Sequence, residues 1–153
     1  MKQEDKELLL VDLCARLPYG VKILHKDWNY EWDDELSTVE RVVGIDEDFI
    51  YTKVIDTHNG EEYRDDKWPI DTFDDKLFLR PMSSMTEDEK ETYHNLCYEE
   101  EREEFEFGEW VARIHYHDTV DSIDWLNANH FDFRGLIPKG LAIEVTEENN
   151  QYK

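Results

Sequence analysis

The sequence predicts an α+β fold, in which a small antiparallel β-meander packs with about three helices in a single domain spanning 1–153. Short β-branched and aromatic runs, separated by turn-forming residues, lie between residues 38 and 64 and predict the meander. Apolar residues at helical spacing on either side of it predict the helices. Aromatic residues make up 13% of the chain, which is enough apolar surface for one core. We place the first helix and the meander in 1–82, and the helical and C-terminal region in 83–147. An SH3-like, partly open barrel is one form that such a meander takes.

The N-terminal region begins with a predicted helix. Residues 5–17 place leucines at helical spacing, and Pro18 and Gly20 directly after them end the helix. A strand is predicted at 21–26, and the acidic, aromatic stretch 27–35 is predicted to be a loop. The aromatic side chains of that loop are expected to be half-buried: Trp28, Tyr30 and Trp32.

The meander follows. Strands are predicted at 38–45 and 49–55, with an acidic turn between them. Residues 59–60 are an Asn-Gly pair, which accepts the positive φ angles of a tight turn, so 61–64 is expected to pair back on 49–55. Pro69 ends the meander because proline has no N–H to donate to a central ladder.

The second half mixes helices with an extended arm. Residues 76–82 are predicted to form a short apolar connector. Thr86 and Glu89 have the spacing of a capping box, in which each side chain accepts a hydrogen bond from the backbone N–H of the other, and a helix begins there. The run EEEREE at 99–104 is compatible with a helix, and 105–116 is predicted to be a strand or hairpin arm.

Two regular elements are predicted near the C-terminus. A short helix at 119–129, capped by Asp118 or Thr119, precedes turns and a terminal strand at 141–145. The last residues, 149–153, are expected to fray.

The charge of the chain restricts its partners. Thirty-nine acidic residues against seventeen basic ones give a net charge of −22, and the acid is concentrated in 27–75 and 86–106. Such a field repels DNA, RNA and anionic membranes and attracts basic protein surfaces. We therefore expect a basic protein surface as the partner, with no direct nucleic-acid or membrane binding. The predicted acidic face includes Glu99, Glu100, Glu101, Glu103 and Glu104.

Several sequence features favour a cytosolic protein. No apolar run approaches the roughly 18 residues of a membrane span, and residues 1–6 lack the hydrophobic region of a signal peptide. Cys14 and Cys97 lie in apolar helical patterns and are expected to be buried free thiols, as is usual in that compartment. A disulfide between them is the alternative.

The sequence carries no catalytic signature. It contains neither the glycine-rich loops that bind nucleotides nor the G-x-S-x-G elbow of serine hydrolases, and it implies no cofactor. The leading hypothesis is therefore a non-enzymatic interaction protein whose acidic face binds a basic protein surface. An alternative is a DNA mimic, whose carboxylates are spaced like phosphates and occupy the nucleic-acid channel of a host protein.

A second alternative is a metal-dependent hydrolase. His115 and His117 alternate on the predicted arm, so both imidazoles face one side, and Asp118 or Asp121 completes a ligand set. Two histidines at this spacing are also common by chance, and the other interpretation is a pair of exposed histidines at a strand end.

Clusters of carboxylates are interpreted as solvated turns. None has the spacing of a calcium-binding loop. The clusters are Asp33-Asp34-Glu35, Asp46-Glu47-Asp48, Asp65-Asp66 and Asp74-Asp75.

The segment HFDFRG at 130–135 has three interpretations. In the architectural one, Asp132 and Arg134 form an ion pair, Phe131 and Phe133 enter the core, and the glycine permits a left-handed turn. In the second, Arg134 and the two phenylalanines form a docking epitope. The third is a His–Asp acid/base pair, for which no nucleophile is evident.

Three segments resemble a known group of proteins: LCARLPYG at 13–20, LRPMSSMTE at 79–87 and DWLNANHFDFRGLIPKGLA at 124–142. These strings are similar to those of a family of uncharacterised small proteins from anaerobic gut bacteria, their phages and mobile elements. They cover about a quarter of the chain. The resemblance implies the context of a cytosolic accessory protein of a phage or mobile element, and it implies no activity, cofactor or site residue.

Overall fold

Eight strands and three α-helices make up the described part of the chain. The computed structural model describes residues 2–29, 34–56, 58–105 and 109–152, with side chains at 2–26, 37–56, 58–98 and 116–152. The helices are α1 (Gln3–Arg16), α2 (Glu87–Leu96) and α3 (Val120–Ala128). The strands are β1 (Lys22–Asn29), β2 (Asp34–Ile45), β3 (Phe49–Ile55), β4 (Glu62–Pro69), β5 (Lys76–Leu79), β6 (Tyr98–Phe105), β7 (Glu109–Tyr116) and β8 (Ala142–Glu144). Across these described ranges, no helix has the length and apolar character that crossing a membrane requires.

Six of the strands form one open sheet in the order β4-β3-β2-β1-β5-β8. Strands β1 to β4 are an antiparallel meander, β5 is antiparallel to β1, and β8 is parallel to β5. The predicted α+β single domain with its β-meander is confirmed. Of the Asn-Gly pair, Gly60 has a φ of 75°, whereas Asn59 does not have the positive φ that was expected. The Asp56 N–H donates to the Glu61 carbonyl at 2.8 Å, so the turn before β4 is present but is longer than a two-residue hairpin turn. β4 ends at Pro69 as expected.

The first hairpin is longer than predicted. The ladder between β1 and β2 continues to the pair Asn29↔Asp34, so the loop predicted at 27–35 is wrong for 27–29 and for 34–35. Ladder hydrogen bonds and the strand preference of aromatic residues outweigh the acidic composition of this stretch. Three aromatic side chains of this stretch were expected to be half-buried, but they lie outside the described side chains: Trp28, Tyr30 and Trp32.

A central strand, β5, replaces the connector predicted at 76–82. It pairs with β1 on one side and with β8 on the other. Leu77 and Leu79 join the core beneath α1, whereas Phe78 packs on the opposite face of the sheet. Because both faces are covered, the strand shows a continuous apolar run instead of an alternation, and periodicity does not reveal so short a strand.

The main core lies between α1 and the sheet. Leu9 and Leu13 of α1 are fully buried against sheet residues such as Ile23, which confirms the predicted packing of the first helix. Cys14 was expected to be buried and is exposed, because it lies beside the buried stripe of α1. Cys97 is buried, and both cysteines are free thiols.

Strands β6 and β7 form a separate two-stranded hairpin, called the arm below. The predicted strand at 105–116 is confirmed over 109–116, but the helical interpretation of 99–104 is wrong, because these residues belong to β6. A helix would place like charges four residues apart, which is unfavourable. An extended strand instead pairs the run with β7, whose sequence EWVARIHY includes apolar and β-branched residues.

Helices α2 and α3 begin with the predicted type of cap. Thr86 Oγ1 accepts the Glu89 N–H at 3.2 Å, and Glu89 Oε2 accepts the Thr86 N–H at 2.8 Å. Thr119, not Asp118, caps α3, and Ser122 completes a second capping box.

The C-terminal segment is tied down as far as Tyr152, so the fraying expected at 149–153 is wrong for 149–152. The Tyr152 hydroxyl donates to the Phe78 carbonyl at 2.8 Å and accepts the Lys22 N–H at 3.1 Å. Its ring stacks on His130 at 3.8 Å. A partly buried aromatic ring with a satisfied hydroxyl outweighs the usual mobility of a terminus.

His130 makes the stability of the fold depend on pH. Burial of the ring, followed by the nearby cations Arg16 and Lys22, lowers the pKa of His130 to about 4. An unfolded histidine titrates near pH 6.5, so between these values the unfolded chain binds a proton that the native chain does not. The free energy of unfolding should therefore fall on acidification through this window, by up to about 1.4 kcal/mol per pH unit. Melting temperatures between pH 7 and pH 4 should fall less steeply in His130→Asn, since asparagine tolerates the φ of 57° at this position and does not titrate. Equal slopes in the two proteins would show that His130 is not responsible.

Candidate protein-interaction site

Arg134 is bound to the first helix. Its Nη1 lies 2.7 Å from Asp12 Oδ1, and Arg16 Nε donates to Asp12 Oδ2 at 2.6 Å. The predicted Asp132–Arg134 ion pair is wrong, because the Asp132 carboxylate accepts two backbone N–H groups of the following turn, from Leu136 and Ile137. Arg134 and Arg16 therefore share one carboxylate from α1, in what we call the Asp12 network.

The two phenylalanines of the motif are packed around this network. Phe131 is fully buried, stacks on Trp125 at 5.5 Å and lies 4.2 Å below the Arg80 guanidinium. Phe133 is half-buried, with the Arg134 guanidinium 4.2 Å from its ring centre. These contacts support the architectural interpretation of the motif, and Phe131 presents no surface to a partner.

A more accessible set of side chains surrounds a cleft at the base of the arm. The cleft has a volume of about 470 Å³ and lies between α2 and the segment that ends β7. Seven of the residues with described side chains line it: Lys90, Tyr93, His94, Cys97, Tyr116, His117 and Asp118. Its size falls within the range of ligand pockets.

Aromatic rings form one wall of the cleft. Of the lining residues, His94 stacks on Tyr116 with 4.4 Å between the ring centres. Tyr98, which follows the lining residue Cys97 in the chain, meets Tyr116 edge-on at 5.9 Å. Despite these contacts, Tyr116 remains 55% exposed and Tyr98 42% exposed. Large exposed aromatic side chains held in fixed positions are typical of protein-interaction sites.

A carboxylate, that of Asp118, also lines the cleft. Asp118 Oδ1 accepts a hydrogen bond from the Tyr93 hydroxyl at 2.5 Å and lies 4.0 Å from Cys97 Sγ. Burial, followed by the hydrogen bond to Asp118, raises the pKa of Tyr93, so the phenol stays protonated and continues to donate.

The arm extends from this cleft. Its first strand, β6, contains five glutamates and one arginine, and hence a net charge of −4 in eight residues. In the backbone that the structure describes, neither β6 nor β7 pairs with a third strand. The side chains of the predicted acidic face lie outside the described ones: Glu99, Glu100, Glu101, Glu103 and Glu104.

The proposed metal ligands are brought only partly together. His117 and Asp118 both line the cleft, whereas the side chain of His115 lies outside the described ones. Within the described side chains, no group of three potential ligands is close enough to hold a metal ion. A metal site that includes His115 stays a prediction.

The acidic clusters differ from one another. Asp46 Oδ1 accepts the N–H groups of Asp48 and Phe49 at 2.9 and 2.8 Å, so 46–48 is a turn as predicted. The pair at 65–66 is instead part of β4, where each carboxylate has a cationic partner. The cluster at 33–35 has no described side chain.

Asp75 was expected to be solvated and is buried instead. Its Oδ2 lies 2.9 Å from His25 Nδ1, and His25 stacks on Trp68 at 3.6 Å. Burial raises the pKa of Asp75, against the opposing effect of its hydrogen bond to His25. The neighbouring Glu40 is fully buried and accepts hydrogen bonds from Thr38, Thr52 and Trp68. These bonds connect strands across the meander, which is a structural role.

The aromatic wall of the cleft is the feature that sequence reasoning missed. Tyr93 and His94 lie on α2, more than twenty positions before Tyr116, and only the fold brings them together. The sequence contains one weak, local indication of the cleft, which is a group of aromatic residues around Cys97, where α2 ends and β6 begins.

Compared with known protein families, with curated proteins and with solved structures, the chain has no match. The functional interpretation below therefore depends on the geometry and charge of the cleft and the arm.

Proposed function

We propose that this protein is a non-enzymatic interaction protein that binds a basic segment of another protein along the arm and in the cleft at its base. The observation that carries the proposal is the continuity between an exposed aromatic cleft and a strand with a net charge of −4. Opposite charge draws a basic segment to the arm and aligns it, and aromatic surface supplies contact area once the segment is bound.

The topology of the arm supports a specific mode of binding. An unpaired strand edge accepts an extended segment through backbone hydrogen bonds, while side chains supply the specificity. Acidic side chains along β6 select lysine and arginine in the added strand. A two-stranded hairpin is marginally stable alone, so an added third strand also stabilises the arm.

A nine-residue peptide that alternates lysine with threonine tests the proposal. It should bind the wild-type protein, and binding should weaken as salt rises because exposed ion pairs are screened. The triple variant Glu100→Gln/Glu101→Gln/Glu103→Gln should bind about tenfold more weakly at low salt, since three exposed pairs at about 0.5 kcal/mol each amount to about that factor. Isothermal titration calorimetry measures both effects.

The matched control removes the same charge elsewhere. Glu47, Glu147 and Glu148 are all exposed and lie outside the arm and the cleft. The variant Glu47→Gln/Glu147→Gln/Glu148→Gln has the same net charge as the arm variant and should bind the peptide nearly as the wild type does. Equal losses in the two triple variants would show that net charge, and not the arm, attracts the peptide.

DNA mimicry is the second candidate, because the glutamates of β6 follow an extended row. At about 3.3 Å per residue, the eight residues of β6 carry roughly one net negative charge per 6–7 Å. Duplex DNA carries about one negative charge per 1.7 Å of its axis, so the charge density of the arm alone is lower than that of DNA. Competition between the whole protein and duplex DNA for the same basic protein would support this alternative, and a failure of the protein to displace DNA from that protein would count against it.

We also propose a more specific form of the β-sheet and a cellular role for the protein. An SH3-like, partly open barrel is supported by a fifth strand, β5, that follows a 3-10 turn at Ile70–Thr72 and pairs with β1 of the meander. A cytosolic accessory role in a phage or mobile element rests on the resemblance of the three sequence segments and on the high acidity of the chain.

A further inference from the structure

We propose that the cleft at the base of the arm is a receptor for one cationic side chain, a lysine or an arginine, of the bound segment. This inference rests on the proposed function and identifies the anchor that fixes the position of the segment on the arm.

The rings of the cleft are arranged to receive a cation. The face of an aromatic ring is electronegative, and a lysine or arginine cation is attracted when it lies within about 6 Å of the ring centre. The stack of His94 on Tyr116 and the edge-on contact with Tyr98 hold the Tyr116 ring from two sides. Because more than half of Tyr116 is still exposed, its ring is held in place and remains accessible.

The carboxylate of Asp118 provides the counter-charge. Its Oδ1 is occupied by the Tyr93 hydroxyl, whereas its Oδ2 accepts no hydrogen bond from any side chain or backbone group among the described residues. A fixed carboxylate with one unused oxygen is suited to accept an N–H from an ammonium or guanidinium group. The phenol hydrogen bond fixes its orientation before any ligand arrives.

Lys90, a lysine among the described residues that line the cleft, has its own partner. Lys90 Nζ lies 2.6 Å from Glu87 Oε1, one turn earlier on α2. Asp118 is not in a salt bridge with Lys90 or with any other described cation. Among the described side chains, no cation therefore occupies the receptor.

A cation fits this site better than an apolar anchor. An apolar side chain would use the ring faces but would cover the Asp118 carboxylate without offering it a donor, and an uncompensated carboxylate is costly. A negatively charged ligand would meet both this carboxylate and the acidic arm.

The probe is N-acetyl-arginine amide, with N-acetyl-citrulline amide as its neutral counterpart of nearly the same shape. Titrating each into ¹⁵N-labelled protein should give saturable shifts of the Tyr116 and Asp118 amide signals with the arginine compound and much smaller shifts with the citrulline compound. The shifts should be lost in Tyr116→Leu and in Asp118→Asn. They should persist in Tyr63→Leu, because Tyr63 is an equally exposed tyrosine on β4, outside the cleft.

The lysine–threonine peptide separates this inference from the proposed function. Tyr116→Leu should weaken peptide binding about threefold, the size expected for an exposed cation–π contact, with unchanged circular dichroism as the check on folding. If the peptide binds the arm normally while neither Tyr116→Leu nor Asp118→Asn affects it, the receptor is wrong and the proposed function stands. If the arginine and citrulline compounds bind equally, the site does not select cations. If the peptide does not bind the wild-type protein at all, the proposed function itself fails.

Discussion

Asp12→Asn should destabilise the protein more than any other single charge change. Asp12 and Arg16 have no solvent exposure, and Arg134 shares the same carboxylate. The substitution keeps the size of the side chain but leaves a buried guanidinium without its counter-charge, which costs about 3–5 kcal/mol. This is a large part of the 5–15 kcal/mol that stabilises a typical domain, and the melting temperature should fall by on the order of 10 °C.

The control is Asp71→Asn. Asp71 also pairs with a cation, Lys6, at 3.4 Å, but its side chain is fully exposed. The same chemical change there should leave the melting temperature nearly unchanged, since exposed pairs contribute little. Thermal unfolding followed by circular dichroism measures both variants. Similar melting temperatures for the two would show that the Asp12 network does not support the fold.

Phe131→Ala is expected to have an effect of similar size for a different reason. The ring is fully buried between Trp125 and Arg80, and its truncation removes apolar contacts and leaves a cavity. Losses of about 3–5 kcal/mol are typical of such truncations. The Phe131 carbonyl also accepts a hydrogen bond from Arg16 Nη2 at 2.7 Å, which connects the backbone at this position to the Asp12 network.

Denaturant unfolding of Phe131→Ala and of Tyr63→Ala provides the measurement. Tyr63 is 62% exposed, so its truncation should change the free energy of unfolding by less than about 0.5 kcal/mol. If Phe131→Ala had the same free energy of unfolding as the wild type, the architectural interpretation of the motif at 130–135 would be wrong.

Structural features that depend on a few neighbouring residues were predicted best. The Thr86–Glu89 capping box depends on local backbone geometry, which a short sequence specifies. The Asn-Gly pair predicted the position of the turn before β4 but not its type, because only Gly60 of the pair has a positive φ. The meander and the first helix followed from the spacing of apolar residues, because one face of each is buried.

Features that depend on distant contacts were not predicted. Arg134 and Asp12 are 122 positions apart, so the nearer Asp132 was taken as the partner of Arg134. β5 lacks the alternation of a strand because both of its faces are covered. The acidic run of β6 becomes extended because β7 pairs with it, and the sequence of the run alone does not contain that information.

The sequence suggested only the charge of the candidate site, and that suggestion stays a prediction. Composition indicated an acidic surface and a basic partner, and the glutamates of β6 were identified from sequence. The cleft was not, since its aromatic wall combines residues of α2 with the end of β7. A pocket formed between elements leaves no periodic pattern in either of them.

Mapping the lysine–threonine peptide onto ¹⁵N-labelled protein shows whether the arm and its cleft bind a basic segment. We expect saturable amide shifts concentrated in β6, in the end of β7 and around the cleft, and weaker shifts at higher salt. Saturable shifts concentrated on β3 and β4, or small unsaturable shifts spread over all acidic segments, would contradict the claim that the arm and its cleft form the binding site.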